Sequence, residues 1–364
     1  MHYRSNRSVP WLLIVGFAIA VMLNDVAFAQ ITTSFDLQGI VNTPGTYDDT
    51  TLQSPAFAPL TTQTDTFTAG GTPQTNTFTG VPLYNFLTSS AGGGGIVTTP
   101  GVKNDFLRDF AVVTGSDGYR VVVSEGEIDP NFGHEPDLIA DQVNGGSLGS
   151  NGDFRTTSPS DVAGGRYVSN VANISIFSAT VYSTIQGTGG GTTTSFVIQG
   201  QVANSGTVMN LATLNALPQT TVTVGANTFT GVSLYTLLTS SGGGGGILTN
   251  PSIKNDLLGK YVVATGSDGN KAVIALGEIA PNFGGSNGLQ QDLIATSENG
   301  SPLTTDGFAR LIVPNDTNAG RWVSYLVGLE VLSAPPAIVP APAAGILFAT
   351  GLGGLVWRRV RHIV

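Results

Sequence analysis

The chain has 364 residues, none of which is cysteine, and only three of which are histidine. The absence of thiols excludes disulfide bridges, cysteine-ligated zinc, iron–sulfur clusters and thiol nucleophiles. His2 and His362 lie near the two ends, so His134 alone remains for the central part. This excludes a multi-histidine metal site, and a Ser-His-Asp triad is not expected.

Charged residues are also scarce, at 11% of the chain, and the formal net charge is -9. Several arginines lie near the two ends, so the central part is more acidic than the whole. Such a protein is repelled by nucleic acid and by anionic lipid. We therefore exclude nucleic acid as a partner. Hydrophobic residues, at 41%, are sufficient for folded cores.

The N-terminal end has the pattern of a secretory signal peptide. Arg4 and Arg7 precede an almost unbroken apolar stretch, 11–23, and Ala27 and Ala29 supply the small residues of an A-x-A cleavage site. The apolar stretch is shorter than the roughly 20 residues that span a bilayer. We therefore predict cleavage by signal peptidase after Ala29, with a retained membrane anchor as the alternative.

The C-terminal end joins a proline motif, an apolar segment and a cationic cluster. These are, in order, Val339, Pro340 and Pro342; the run 343–357; and Arg358, Arg359 and Arg361. The positive-inside rule holds such arginines on the cytoplasmic side of a membrane. The order resembles the PEP-CTERM sorting signal of bacterial proteins that an exosortase processes, although Ala341 stands where the usual motif has glutamate.

This resemblance implies an exported protein, anchored transiently in the membrane by its C-terminal transmembrane helix. An exosortase-like enzyme would then process it, and the protein would reside at the cell surface or outside the cell. The alternative is a simple tail anchor.

The central part contains one domain twice. The sequence TGSDG occurs at 114–118 and again at 265–269, and Gly126-Glu-Ile returns as Gly277-Glu-Ile, both with an offset of 151 residues. The later block Asp137-Leu-Ile-Ala returns as Asp292-Leu-Ile-Ala with an offset of 155. A period this long indicates a duplicated domain, since solenoid units have about 20–50 residues.

The predicted organisation has five parts. They are a signal peptide (1–29), a first domain (31–185), a Gly/Thr-rich linker (186–195), a second domain (196–333) and a spacer, transmembrane helix and sorting tail (334–364). Because Gly/Thr-rich segments bury little surface, we expect the linker to be flexible and its cleavage to give two stable fragments.

Segments rich in β-branched and aromatic residues predict strands in the second copy at 196–202, 220–224, 261–265, 272–275, 310–313 and 322–332. Leucine spacing predicts short helices at 211–217 and 232–240. The predicted fold class is therefore α+β, mainly β, with short helices.

The order of motifs in the second copy resembles the molybdopterin-binding domain of the sulfite oxidase family. The matching motifs are TLNALP at 213–218, FTGVSLYTLL at 229–238, the block from Asp292 to Pro314, and GRWV at 320–323. The first copy repeats this order more loosely. The resemblance implies two tandem copies of a sulfite-oxidase-like molybdopterin-binding fold.

The chemistry of that family requires a cysteine ligand to molybdenum, and this chain has none. If a pterin cofactor were bound, its phosphate would need cations, and the repeated candidates are Arg155, Arg166, Arg310 and Arg321. The alternative is that these arginines pair with acids such as Asp316. We expect no cofactor, with molybdopterin as the alternative.

Other repeated features favour structural roles. Asp117 and Asp268 lie in turns, Glu127 and Glu278 begin short helices, and His134 lies beside an acid in a loop. The glycine runs 92–95 and 242–246 lack the context of a phosphate-binding loop, so we expect flexible surface loops there.

The sequence favours a secreted, surface-sorted protein with a non-catalytic binding or structural role at the envelope or in the extracellular matrix. Its partners would be extracellular polysaccharide or a small ligand. The alternative is an enzyme, a molybdopterin-dependent oxidoreductase without a cysteine ligand.

Overall fold

The computed structural model describes residues 31–286 and 290–338. Short strands dominate, and the helices have four to six residues each. The α+β, mainly β class predicted from the sequence is confirmed.

The first copy contains strands β1 (Ser34–Gly39), β2 (Gly45–Asp48), β3 (Thr61–Ala69), β4 (Thr72–Pro82), β5 (Asp109–Gly115), β6 (Arg120–Ser124), β7 (Leu138–Val143), β8 (Gly146–Ser147), β9 (Arg155–Thr156) and β10 (Val171–Ser178). Its helices are α1 (Asp49–Leu52), α2 (Leu83–Thr88) and α3 (Glu125–Ile128). The second copy contains β11 (Ser195–Gly200), β12 (Thr207–Asn210), β13 (Thr220–Val224), β14 (Asn227–Ser233), β15 (Lys260–Gly266), β16 (Lys271–Ala275), β17 (Leu293–Glu298), β18 (Ser301–Pro302), β19 (Arg310–Ile312) and β20 (Leu326–Ser333). Its helices are α4 (Leu211–Asn215), α5 (Leu234–Thr239) and α6 (Leu276–Ile279).

Each copy forms a large five-stranded sheet with the same strand order. The first sheet is β2-β1-β10-β5-β6 and the second is β12-β11-β20-β15-β16. In both, the first strand of the copy pairs parallel with the last. Gly39 and Gly200 end these first strands at positive φ, where a Cβ would meet the carbonyl oxygen of Ile176 or Val331. The duplicated sequence therefore folds the same way twice.

A second five-stranded sheet, called the small sheet because two of its strands have only two or three residues, completes each copy. The orders are β3-β4-β7-β8 with β9 on β7, and β13-β14-β17-β18 with β19 on β17. The main core of each copy combines residues of its large and small sheets. Ile174 and Ile139 are members in the first copy, and Leu329 and Ile294 are members in the second.

The two large sheets share an apolar layer. Phe110 of β5 and Tyr261 of β15 are equivalent in the repeat, and their ring centroids lie 4.2 Å apart. Val112, Val122, Val263 and Val273 belong to the same layer. Both faces of β5 and β15 are consequently buried, which explains why these strands lack the polar alternation of half-exposed strands.

Loops of one copy also contact the other. The backbone N–H of Thr317 donates to the carbonyl of Phe132 at 2.9 Å, and Asn318 Nδ2 donates to the carbonyl of Asn131 at 2.8 Å. Leu258 of the second copy packs into the main core of the first. The copies therefore meet through apolar, backbone and side-chain contacts together.

The segment 186–195 makes hydrogen bonds to a turn of the second copy. The backbone N–H groups of Thr188 and Gly190 both donate to the carbonyl of Ser267 at 2.8 Å, and Ser267 Oγ donates to the carbonyl of Gly191 at 2.7 Å. Composition does not reveal these partners, because they come from a turn distant in sequence; the flexibility of the linker stays a prediction.

The predicted localisation, with a transient anchor in the membrane, requires a correction. Over the described ranges 31–286 and 290–338, no helix combines the length and the apolar character needed to cross a membrane. The predicted signal peptide with Ala27 and Ala29, and the predicted sorting segment from Val339 to Arg361, lie outside the described residues.

Cleavage of the linker tests whether the shared layer holds the copies together. With a protease site inserted between Gly189 and Gly190, we expect the two cut fragments to elute as one species in size-exclusion chromatography. High salt should not separate them, because salt screens exposed charges and leaves apolar contacts intact. Fragments that elute separately would show that the interface contributes little.

Candidate functional site

Two arginines lie buried at the junction of the copies. Arg166 and Arg321 occupy equivalent positions, each at the end of a single 3₁₀ turn, Gly164–Arg166 and Ala319–Arg321. Each is only 1% exposed. Arginine is almost never fully buried without partners, so these side chains determine which groups must surround them.

Each arginine is held by two carboxylates of its own copy. Arg166 Nε and Nη2 donate to Asp161, with Nη2 2.6 Å from Oδ1, while Nη1 pairs with Glu127. Arg321 donates in the same way to Asp316, and its Nη1 lies 2.5 Å from Glu278 Oε1. Asp161 and Asp316 each precede their arginine by five residues, so a single tight loop in each copy supplies both the arginine and its aspartate.

Each arginine also crosses the boundary between the copies. A Cβ on Gly126 of α3 would meet the side chain of Arg321, and a Cβ on Gly277 of α6 would meet that of Arg166. Ser124 adds a polar contact across the boundary, because its Oγ donates to Glu278 Oε2 at 3.2 Å and accepts from Arg321 Nη1 at 3.4 Å. Glycine is thus required at positions 126 and 277 because an arginine side chain of the other copy approaches each of them closely.

Burial determines the ionisation of the surrounding carboxyl groups. It raises the pKa of Asp161 to about 6 and that of Glu278 to about 7, with the facing arginines opposing the rise. It raises the pKa values of Asp137 and Asp292 well above their usual range. The facing carboxylates outweigh the desolvation of Arg321, so its own pKa is raised.

A cavity of about 100 Å³ lies between the copies at this point. Its polar lining includes Glu127, Glu135, Arg166, Glu278, Asp292 and Arg321. Glu127 Oε2 and Asp292 Oδ2 are buried and have no hydrogen-bond partner among the described residues. The junction therefore presents carboxylate oxygens that the described residues leave unsatisfied.

The first copy has a second buried acidic cluster that the second copy lacks. Both carboxyl oxygens of Glu125 are buried without a partner in the described part of the chain, and Asp109 and Asp129 lie near it. Desolvation, reinforced by those two carboxylates, raises the pKa of Glu125 well above its usual range. The residue equivalent to Glu125 in the second copy is Leu276.

The structure does not bring the other two candidate arginines into the cavity. Arg155 lies over the rings of Phe78 and Tyr167, 5.6 Å from each centroid. Arg310 lies 5.0 Å from the ring of Trp322 and pairs with Asp306 at 3.1 Å. Both guanidinium groups thus pack on the small sheets.

The remaining sequence candidates have local roles. Asp117 and Asp268 accept hydrogen bonds from the backbone N–H two residues ahead, both at 2.9 Å. His134 is exposed in a loop at positive φ.

The glycine runs differ from the expected flexible loops. Gly93 and Gly244 donate to the carbonyls of Phe86 and Leu237, and so wrap the ends of α2 and α5. A Cβ on Gly93 or Gly244 would meet the carbonyl oxygen of the neighbouring Leu87 or Leu238. Glycine is therefore required there because the backbone packs closely. From composition alone, a glycine run that packs closely cannot be distinguished from a flexible one.

The residues of the junction do not fit a molybdopterin cofactor. The chain offers no thiolate to the metal, and the two buried arginines already pair with carboxylates in place of a phosphate. The cavity is also smaller than the roughly 300 Å³ at the lower end of pockets for drug-sized ligands.

Comparisons with known proteins add little. No model of a known protein family matches the chain, and no curated protein matches it. Among solved structures, the crystal structure of the sulfane dehydrogenase SoxCD from Paracoccus pantotrophus is similar with a TM-score of 0.33 and 14% identity. The match covers 68% of this chain and 60% of that chain. We draw no functional conclusion from so distant a likeness.

Removal of one buried arginine should destabilise the whole junction. We expect Arg321→Met to lower the free energy of unfolding by about 3–5 kcal/mol, because it leaves buried carboxylates without their cation. The loss should be smaller near pH 5 than near pH 8, since Glu278, with a pKa of about 7, is protonated at the lower pH. Urea denaturation followed by circular dichroism measures both values.

The matched control is Arg310→Met. The ion pair of Arg310 is partly exposed, so its removal should cost about 1 kcal/mol or less. Equal losses in the free energy of unfolding for the two variants would show that the buried arginine stabilises the protein no more than the partly exposed one.

Replacement of Glu125 by the residue of the other copy should stabilise the protein. We expect Glu125→Leu to raise the free energy of unfolding by about 1–3 kcal/mol near pH 8 and to change it little near pH 4. The unfolded glutamate titrates near pH 4.3, and the folded one titrates higher. Wild-type stability therefore falls as pH rises between these two values, and leucine removes this fall. A gain that is independent of pH would point to packing alone.

Proposed function

We propose that the chain is a non-catalytic binding module in which two copies of one domain line a small cavity that contains buried charged groups. The observation that carries this proposal is that Arg166 and Arg321 are each held by carboxylates beside the cavity. Their guanidinium groups, the strongest buried donors at the junction, are oriented by Asp161 and Asp316 through bidentate pairs. These pairs orient the arginine of each copy, and its side chain then packs on a glycine of the other copy beside the cavity.

The chemistry of the lining supports binding over catalysis. Perturbed carboxyl pKa values occur in active sites and in structural ion-pair networks alike. Here the perturbed groups Asp161, Asp316 and Glu278 point at arginines. Covalent catalysis requires a nucleophile with an adjacent base, and the one central histidine, His134, is exposed and outside the cavity.

The size of the cavity favours a small ligand over a polysaccharide. A volume of about 100 Å³ corresponds to the liquid volume of about three water molecules at about 30 Å³ each. A sugar chain needs an extended open groove, whereas this cavity is small and lies between residues of both copies.

The alternative function, a molybdopterin-dependent oxidoreductase, predicts a bound cofactor. We expect protein purified from its native host to contain far less than one equivalent of molybdenum or tungsten, and to release no fluorescent pterin on denaturation. The physical reason is the missing thiolate ligand together with arginines already paired to carboxylates. Elemental analysis and fluorescence of the denatured extract measure this, with a molybdopterin protein treated in parallel as the positive control.

Stoichiometric metal together with pterin would overturn the proposed function. Metal without pterin would also count against it, because the proposal assigns the chain no resident metal.

A further inference from the structure

Carboxyl groups outnumber cations at the junction. Arg166 interacts with Glu127, Asp137 and Asp161. Arg321 interacts in the same way with Glu278, Asp292 and Asp316. Glu135 also lines the cavity, as does the phenol of Tyr235, whose pKa burial raises. Since an unpaired buried charge is costly, the excess carboxyl groups must either hold protons or face a further cation.

Two of these carboxylates line the cavity and keep one oxygen without a partner among the described residues. Glu127 and Asp292 are 4% and 7% exposed, both line the cavity, and each has one buried oxygen without a hydrogen-bond partner in the described residues. Buried polar atoms are normally satisfied by protein or bound solvent. Their position on the wall indicates an occupant that donates hydrogen bonds.

The equivalent aspartate of the first copy, Asp137, has one oxygen satisfied within its own copy, while its Oδ1 is also buried without a hydrogen-bond partner among the described residues. Asp137, the equivalent of Asp292, accepts a hydrogen bond from Ser158 Oγ at 3.1 Å and is not among the residues that line the cavity. In the second copy, Val313 stands at the position of Ser158 and lines the cavity instead. The second copy has thus lost an internal donor at the point where the cavity opens.

The donor set selects the kind of cation. No group of three or more acidic or histidine side chains in the described ranges is placed to hold a metal ion, whereas calcium requires at least six oxygens. Separate carboxylates on two walls suit a cation with several N–H donors, because such a cation binds carboxylates through directed hydrogen bonds. The volume of about 100 Å³ admits a head group of a few atoms.

We propose that the junction cavity binds a small organic cation with N–H donors, a guanidinium or primary ammonium compound, between Glu127 and Asp292. This inference rests on the proposed function as a binding module and names its ligand class. Burial raises the pKa of Asp292 well above its usual range, so the cation replaces a proton on Asp292, and binding releases that proton and strengthens as pH rises.

Calorimetric titration of the full chain with methylguanidinium tests the proposal. We expect saturable binding that is about tenfold tighter near pH 8 than near pH 5.5, a ratio that one linked proton readily supplies. Titrations in two buffers of different ionisation enthalpy should show proton release. Urea, which has no charge, and tetramethylammonium, which has no N–H donor, should not bind.

A pair of equivalent variants provides the specific control. Asp292→Asn should weaken methylguanidinium binding about tenfold or more, because it removes a charge-assisted hydrogen bond. Asp137→Asn makes the same change at the equivalent position outside the cavity and should leave the affinity within about twofold. Circular dichroism and the melting temperature establish that both variants are folded.

Three outcomes would overturn the proposal. The first is the absence of saturable methylguanidinium binding up to about 10 mM near pH 8, which corresponds to a binding free energy of less than about 3 kcal/mol. The second is an equal effect of Asp292→Asn and Asp137→Asn on the affinity. The third is tight binding of Ca²⁺ with no binding of the organic cation. The result is distinguishable from failure of the proposed function, since cofactor content is measured separately on protein without added ligand.

Discussion

Two buried arginines, Arg166 and Arg321, determine the arrangement of the junction. A buried charge is tolerated only when it is paired and its hydrogen bonds are satisfied. Asp161 and Asp316 meet this requirement from the same loops as the arginines. Pairing within each copy leaves the aliphatic part of each arginine free to pack on the other copy, over a glycine. The ion pairs therefore order the two copies separately and shape the surface through which they meet.

Duplication then allows the two copies to diverge around a shared centre. Ser124 makes a polar contact across the boundary, whereas its equivalent Ala275 lies in the shared apolar layer. Glu125 is a buried acid, whereas its equivalent is leucine. Each such difference changes one side of an otherwise symmetric junction. The cavity at the junction is consequently lined unequally by the two copies, since Asp292 lines it and its equivalent Asp137 does not.

The sequence predicts much of the fold because repetition and β-rich segments are local signals. The strand predicted at 220–224 is present with those bounds, and the helix predicted at 232–240 is α5, Leu234–Thr239. The strand predicted at 322–332 begins only at Leu326, because the chain first turns around Arg321. Among the site residues, the sequence offers the pairing of Arg321 with Asp316 as the alternative to binding a cofactor phosphate. The role of Glu278 was not predicted, since it depends on a contact 43 residues away.

The sequence does not reveal how much electrostatic free energy is needed to bury these carboxyl groups close together. Composition shows an acidic chain, but whether its carboxyl groups are solvated or buried depends on how the copies pack. Once buried beside Arg321, Glu278 has a pKa of about 7, so proton uptake, stability of the junction and occupancy of the cavity are linked equilibria. A cation that enters the cavity relieves the same repulsion that protons relieve. Binding and assembly of the two copies therefore depend on one electrostatic balance, and a change in pH acts on both.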